Sequence, residues 1–206
     1  MEKLRRLIER PFGELLFSSA VVIGDGATER SFLPPLIRQA LGIRAHGVCV
    51  VDPGSMKSEY AIAVVKFANL VGIPWLLFSD SDDDGRSAAN SLVGAHGRGD
   101  SNLIVWIRNE AGDGQEFEAT EGMMLKFDAE LCKVACAALG FAGDDADILA
   151  YMGSKKGSIG RFLADELRSR HVGALDVGRT GDCWPRPIHE LLDKLGTLLP
   201  PPEARP

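Results

Sequence analysis

Nowhere in the 206 residues is there an apolar run near the roughly 20 that a membrane helix requires. The start, MEKLRRLIERPFGELLF, mixes Glu with Arg and Lys in place of a basic stretch followed by an apolar one. No membrane partner is expected, and the chain reads as cytoplasmic. Cysteine is scarce: Cys49, Cys132, Cys136 and Cys183 are scattered, with no Cys-x-x-Cys and no histidine cluster beside them. That excludes a zinc cage of the usual spacing and points to reduced thiols. Tyrosine is limited to Tyr60 and Tyr151, both in apolar helical surroundings. Positive charge is short as well, 23 Lys and Arg against 29 Asp and Glu for a net charge of -6, which argues against a general nucleic-acid coat.

What is present is a globular composition, 45% apolar and 25% charged, enough for one core of ordinary size. Residues 2–16 have leucines at near-helical spacing interrupted by Pro11, and are expected to form a helix or helix pair ahead of the core. SAVVIGD then reads as a buried strand, TERSFLPPLIRQALG as a helix ending at Gly42 despite Pro34 and Pro35, and HGVCVVDPG as a second strand. SEYAIAVVKFANLVG is a second helix, and IPWLLFSDSDDDG a third strand running into acids. Between Arg86 and Gly114 a helix, a glycine-rich loop GAHGRGD and a strand SNLIVWI are expected; residues 116–139 read as helical, followed by a turn, another helix, one last amphipathic helix and a proline-rich tail. Strand and helix alternating, with continuous apolar strands, predict an α/β fold: a Rossmann-like central parallel sheet with helices on both faces, plus a helical insertion. The expected boundaries are a helical extension over 1–19, one domain over 20–198 and a disordered tail over 199–206.

Ligand-handling side chains in such a sheet collect where strands end and helices begin. Asp25 ends the first strand, Glu29 follows a helical turn later, and Asp80 and Asp82 end the third. Four carboxylates would converge on one crevice, which is costly unless cations bind there. Oxygen ligands without His or Cys favour Mg²⁺ or Mn²⁺ over zinc. Residues two apart at a strand end project the same way, so Asp80 and Asp82 can serve one site. Gly26 permits a tight turn after Asp25, and Thr28 can cap the helix that Glu29 enters. Each segment taken singly also fits a solvated acidic loop or a helix-dipole complement. Asp80, Asp82, Asp84 and Gly85 match the opening of an EF-hand loop, but Ser91 stands where its final Glu belongs and a strand precedes it where a helix should.

GDGATE followed by SDSDDDG resembles the Toprim domain, the metal-binding module of topoisomerases, primases and several nucleases. The flanks GELLFSSAVVIGDGATERSFLPPL, GIPWLLFSDSD, EFEAT and SKKGSIGRFLADEL are most similar to the C-terminal nuclease domain of the OLD (overcoming lysogenization defect) family of ATP-dependent endonucleases, over roughly residues 12–195. The resemblance implies an Mg²⁺- or Mn²⁺-dependent endonuclease cutting DNA by a two-metal route, among the nucleases of phage defence. It implies metal ligands at Asp25, Glu29, Asp80, Asp82 and Glu118, with Asp25 and Lys156 as catalytic residues and Lys155 the alternative to Lys156 by one register. Among the glutamates near Phe117, Glu116 and Glu121 are expected to be solvated.

Two departures stand out. The family usually has Val-Glu-Gly where this chain has Gly24-Asp25-Gly26, so the first acid is a methylene shorter. OLD proteins also carry an ATPase domain ahead of the nuclease, and this chain has no Gly-x-x-x-x-Gly-Lys-Ser/Thr phosphate loop. The implied partners are DNA and a separately encoded or excised ATPase domain. The alternative is a catalytically weak Toprim module that binds or regulates an ATPase. A phosphoryl-accepting α/β protein with acids at strand ends is a third reading, and topoisomerase or primase activity fits poorly.

Overall fold

The computed structural model of the protein describes residues 12–97, 103–108, 117–170 and 185–200, without the side chains of residues 12 and 167–170. The elements are α1 (Phe12–Leu15), β1 (Ala20–Gly24), α2 (Ala27–Leu41), a 3₁₀ segment (Gly42–Gly47), β2 (Val48–Val51), α3 (Glu59–Val71), β3 (Trp75–Asp80), α4 (Asp83–His96) and β4 (Ile104–Ile107). After these come α5 (Thr120–Phe127), α6 (Ala129–Ala138), a 3₁₀ turn (Asp145–Asp147), α7 (Ile148–Ser154), α8 (Lys156–Arg170) and α9 (Arg186–Leu198).

The four strands lie in the order β2-β1-β3-β4, every pair parallel. All five residues of β1 are buried, as its unbroken apolar run requires of a strand covered twice. Val21 and Ile23 face one way, into a layer with Val64, Val65 and Ala68 of α3 and Ala88, Ala89 and Leu92 of α4. Ala20 and Val22 face the other way, into the larger layer with Phe32, Leu33, Leu36 and Ile37 of α2 and the apolar faces of α5 to α9. Side chains such as Phe32 and Phe78, with no exposed surface, each contribute about 1.5–3 kcal/mol of burial free energy.

As expected, Pro34 and Pro35 do not interrupt α2, which runs from Ala27 through Leu41. Several other local expectations are revised. Gly94 to His96, read as loop, extend α4, and the end comes at Gly97. The helical stretch over 116–139 divides in two, because Asp128 Oδ1 accepts the Leu131 N–H at 2.9 Å and starts α6 afresh. Residues 117–119 precede the first of those helices. Residues 1–11, 201–206 and Cys183 lie outside the described residues; Cys49, Cys132 and Cys136 are buried free thiols. Of the expected tail, Leu199 is buried, and Arg44 donates to the carbonyls of Gly196, Leu199 and Pro200. Among the described residues no helix is long and apolar enough to cross a membrane.

Candidate functional site

The carboxyl ends of β1 and β3 lie side by side, with Gly24 opposite Phe78 in register, so the residues that follow each strand meet at one edge. Asp25 Oδ2 accepts the Asp80 backbone N–H at 3.3 Å and the Ser79 hydroxyl at 3.4 Å. The end of β3 is itself tied down: the Ser81 hydroxyl donates to Ile107 O on β4 at 2.7 Å, and its N–H to Glu118 O at 2.7 Å. Backbone hydrogen bonds therefore fix where Asp80 stands.

Glu29, 4% exposed, reaches the cluster by folding back over Gly24. A Cβ on Gly24 would fall 2.6 Å from Glu29 Cβ, a distance no packed pair of carbons holds, so glycine is what lets this glutamate lie there. Thr28 does not cap α2: the N-cap is Gly26, without a side-chain bond, and the Thr28 hydroxyl donates instead to Glu121 Oε1 at 2.7 Å.

Glu121 is the residue that sequence reasoning missed. Expected in solvent, it is only 6% exposed, in the first turn of α5. Glu118, nominated by the resemblance, is exposed and offers its carbonyl to Ser81; Glu116 lies outside the described residues. A signal for Glu121 was available, since α2 and α5 both open on Ala-Thr-Glu, residues 27–29 and 119–121. The two starts are paired across the core. Thr28 serves Glu121, while Thr120, fully buried and short of hydrogen-bond geometry, still lowers the pKa of Glu29.

The electrostatics follow from this crowding. Burial raises the Asp25 carboxyl above its usual range and Asp82 adds to it, against the hydrogen bonds from Asp80 and Ser79 and the charge of Lys156. Burial raises Glu29 too, with Glu121 adding and Thr120 and Lys156 opposing. Asp80 is affected most, pushed up to about 8 by burial and then by Glu29, Asp25 and Glu121, with Lys156 pulling the other way. Its Oδ1 is buried without a hydrogen-bond partner.

Lys156 enters this field because α8 packs closely on α2. A Cβ on Gly160 would come within 2.7 Å of Thr28 O, so only glycine lets the helices approach so far. Lys155 is turned elsewhere, its Nζ 6.0 Å from the centroid of the Tyr151 ring. Asp82 is exposed and does not project beside Asp80. One of its oxygens caps α4 by accepting the Gly85 N–H at 2.6 Å, while its charge still acts on Asp25. Helix α4 begins at Asp83, inside what would be an EF-hand loop, so that match has no structural counterpart.

The structure thus brings together Asp25, Glu29, Asp80 and the unforeseen Glu121, with Lys156 in their field, Asp82 at the rim and Glu118 outside. All the donors are oxygens, and an orphaned, buried carboxylate oxygen among three further acids fits a hard divalent cation. Among the described residues no three acids are arranged closely enough to form a metal site as they stand.

A parallel sheet with helices on both faces and acids at adjacent strand ends gives the class by its fold, the α/β arrangement of Toprim domains. Within it the likeness is to OLD proteins. Residues 16–82 match the family described as "Overcoming lysogenization defect protein-like, TOPRIM domain". The C-terminal region of the Xanthomonas campestris pv. campestris OLD protein superposes with a TM-score of 0.59 at 17% identity, covering 90% of this chain and 96% of that one. The C-terminal region of the Burkholderia pseudomallei OLD protein gives 0.56 at 15% identity, over 88% of this chain and 99% of that one. None of the curated proteins compared matches the chain.

Proposed function

We propose that this chain is a metal-dependent nuclease of the OLD type, an endonuclease that hydrolyses DNA phosphodiester bonds. One observation carries the reading: a carboxyl, Asp80, whose Oδ1 is buried and unpartnered and whose pKa is pushed up to about 8 by burial and then by the neighbouring acids. Strongly perturbed groups of this kind concentrate where a fold does chemistry.

Asp25, Glu29, Asp80 and Glu121 would hold Mg²⁺ or Mn²⁺, two ions by the resemblance, with the second oxygen of Asp82 available at the rim. When bound, such cations supply an activated water and stabilise the leaving oxygen. The chain's own residues do the rest. The Asp80 N–H and the Ser79 hydroxyl orient the short Asp25 side chain. Thr28 fixes Glu121, and Gly24 gives Glu29 its place. Lys156 brings positive charge toward the phosphate as negative charge builds on it. Residues 20–198 would form the catalytic domain, and an ATPase domain, separately encoded or excised from this chain, is the partner this reading implies.

The test is nicking of supercoiled plasmid in Mn²⁺ by the wild-type chain and by Asp80→Ala. The variant is expected to lose at least about 100-fold, in line with removal of a group acting in the transition state. Equal product from both proteins would remove the proposal. The shorter first acid, Asp25 where the family usually has Glu, favours a second reading, a catalytically weak module that binds or regulates an ATPase. No nicking, together with no Mn²⁺ uptake by calorimetry, is its expected signature.

A further inference from the structure

Beside the acids, and sharing Lys156 with them, is a hollow of about 570 Å³ between the start of α8 and the first turns of α2. Lys155, Lys156 and Arg161 line it, with Ser31, Ser154 and Ser158 between them and no acidic side chain. That composition is unusual in a chain with six more acids than bases, 29 against 23. Ion pairs among the described residues include those of Lys57, Lys133 and Lys194, and none is seen there for Lys155, Lys156 or Arg161. The space far exceeds the roughly 30 Å³ of a water molecule, so it admits a hydrated phosphodiester with its sugar.

We infer that this hollow is a second binding site, for a backbone phosphate of a nucleic-acid strand next to the one being cut. The identity of the strand rests on the nuclease reading; the anion chemistry does not. Three cations and three hydroxyls with no carboxylate in the lining suit a phosphate, and Arg161 can offer it two N–H groups at once. Lys155, Lys156 and Arg161 are all exposed, so a free phosphate would exchange readily. A polymer already held at the neighbouring acids would bind there at high effective concentration. Lys156, common to both places, joins the two phosphates. Ser31, two residues beyond Glu29 on the same helix, ties the hollow's wall to the acid cluster. The hollow would therefore set the register of the strand over the acids.

The test is fluorescence anisotropy with labelled single-stranded and duplex DNA across a salt series, in Ca²⁺ so that the acids are neutralised without the strand being cut. Lys155→Ala, Arg161→Ala, Arg161→Glu and the double alanine variant are compared with Lys133→Ala, a lysine paired to Glu130 and Asp145. Each cation removed from the hollow is expected to weaken binding about three- to tenfold at low salt and to lower the slope of log affinity on log salt by about 0.7 to 0.9. Lys133→Ala should change neither, and melting temperatures should hold because the side chains are exposed. An unchanged slope and affinity in the double variant overturns the inference, as does a wild-type chain that binds neither oligonucleotide. Tight uptake of inorganic phosphate with no effect of the variants on DNA would also overturn it, in favour of a free-anion site. The two proposals fail separately: a lowered slope without any nicking keeps the hollow and removes the nuclease, whereas nicking with an unchanged slope does the reverse.

Discussion

The turn after β1 and the turn after β3 look alike in sequence, each an acid at a strand end followed by a second acid close behind, yet they use the second acid in opposite ways. After β1 the helix begins on Gly26 without a side-chain cap, and Glu29 is drawn inward over Gly24. After β3 it is Asp82 that caps the helix, and it stays in solvent. The difference comes from what lies above each turn. Helix α8 and the start of α5 cover the first, so its helix-start polar groups must find partners inside. The second is open, and a cap accessible to water suffices. Similar strand-end acids therefore become a buried electrostatic centre in one turn and a helix cap in the other.

The sharpest way to break this comparison is at Glu121, which belongs with the buried turn although it sits far along the chain. Glu121→Gln should lower metal-dependent nicking by about 100-fold, or about 2.7 kcal/mol in the barrier, whereas Glu118→Gln should stay within about twofold. The reverse ranking would return the later acid to position 118. Next in size is Gly160→Ala, which forces α8 off Thr28. A loss of about 1–3 kcal/mol in chemical denaturation is expected, as for overpacking elsewhere, together with reduced nicking as Lys156 withdraws. Gly157→Ala is the control, since its Cβ would meet Ala27 Cβ at 3.7 Å and Ser31 Oγ at 4.0 Å, both ordinary contacts. Smallest is the open turn: Asp82→Ala should cost about 1 kcal/mol of stability through the lost cap. Asp82→Asn should restore most of that, which separates the cap from the charge.

Much of the fold was legible because its strands are continuous apolar runs and its helices carry one apolar face, patterns that burial on two faces or on one enforces. Asp25, Glu29 and Asp80 were legible for a related reason: acids at the ends of adjacent parallel strands have few places to go. The rest depended on contacts between distant segments. That Thr28 turns away from its own helix to Glu121 cannot be seen locally, because its partner is 93 residues on. Reading 116–139 as continuous helix hid the start at Thr120, and with it the second Ala-Thr-Glu. Lys156 was separable from Lys155 only once Gly160 fixed the approach of α8.

The most direct measurement is the thermal stability of the metal-free chain as pH is raised, with and without Mn²⁺. Asp80 is raised in the folded state from an ordinary value of 3.8 to about 8. Between those values the folded chain holds a proton that the unfolded chain has released, so stability is greatest below about 4 on this account and declines as pH climbs toward 8. The decline is about 1.4 kcal/mol per pH unit at most. Mn²⁺ should restore stability increasingly as pH approaches and passes about 8, where it no longer competes with the proton, and Asp80→Asn should flatten both effects. A melting temperature indifferent to pH over that range and to Mn²⁺ would contradict the claim that these acids are a cation site.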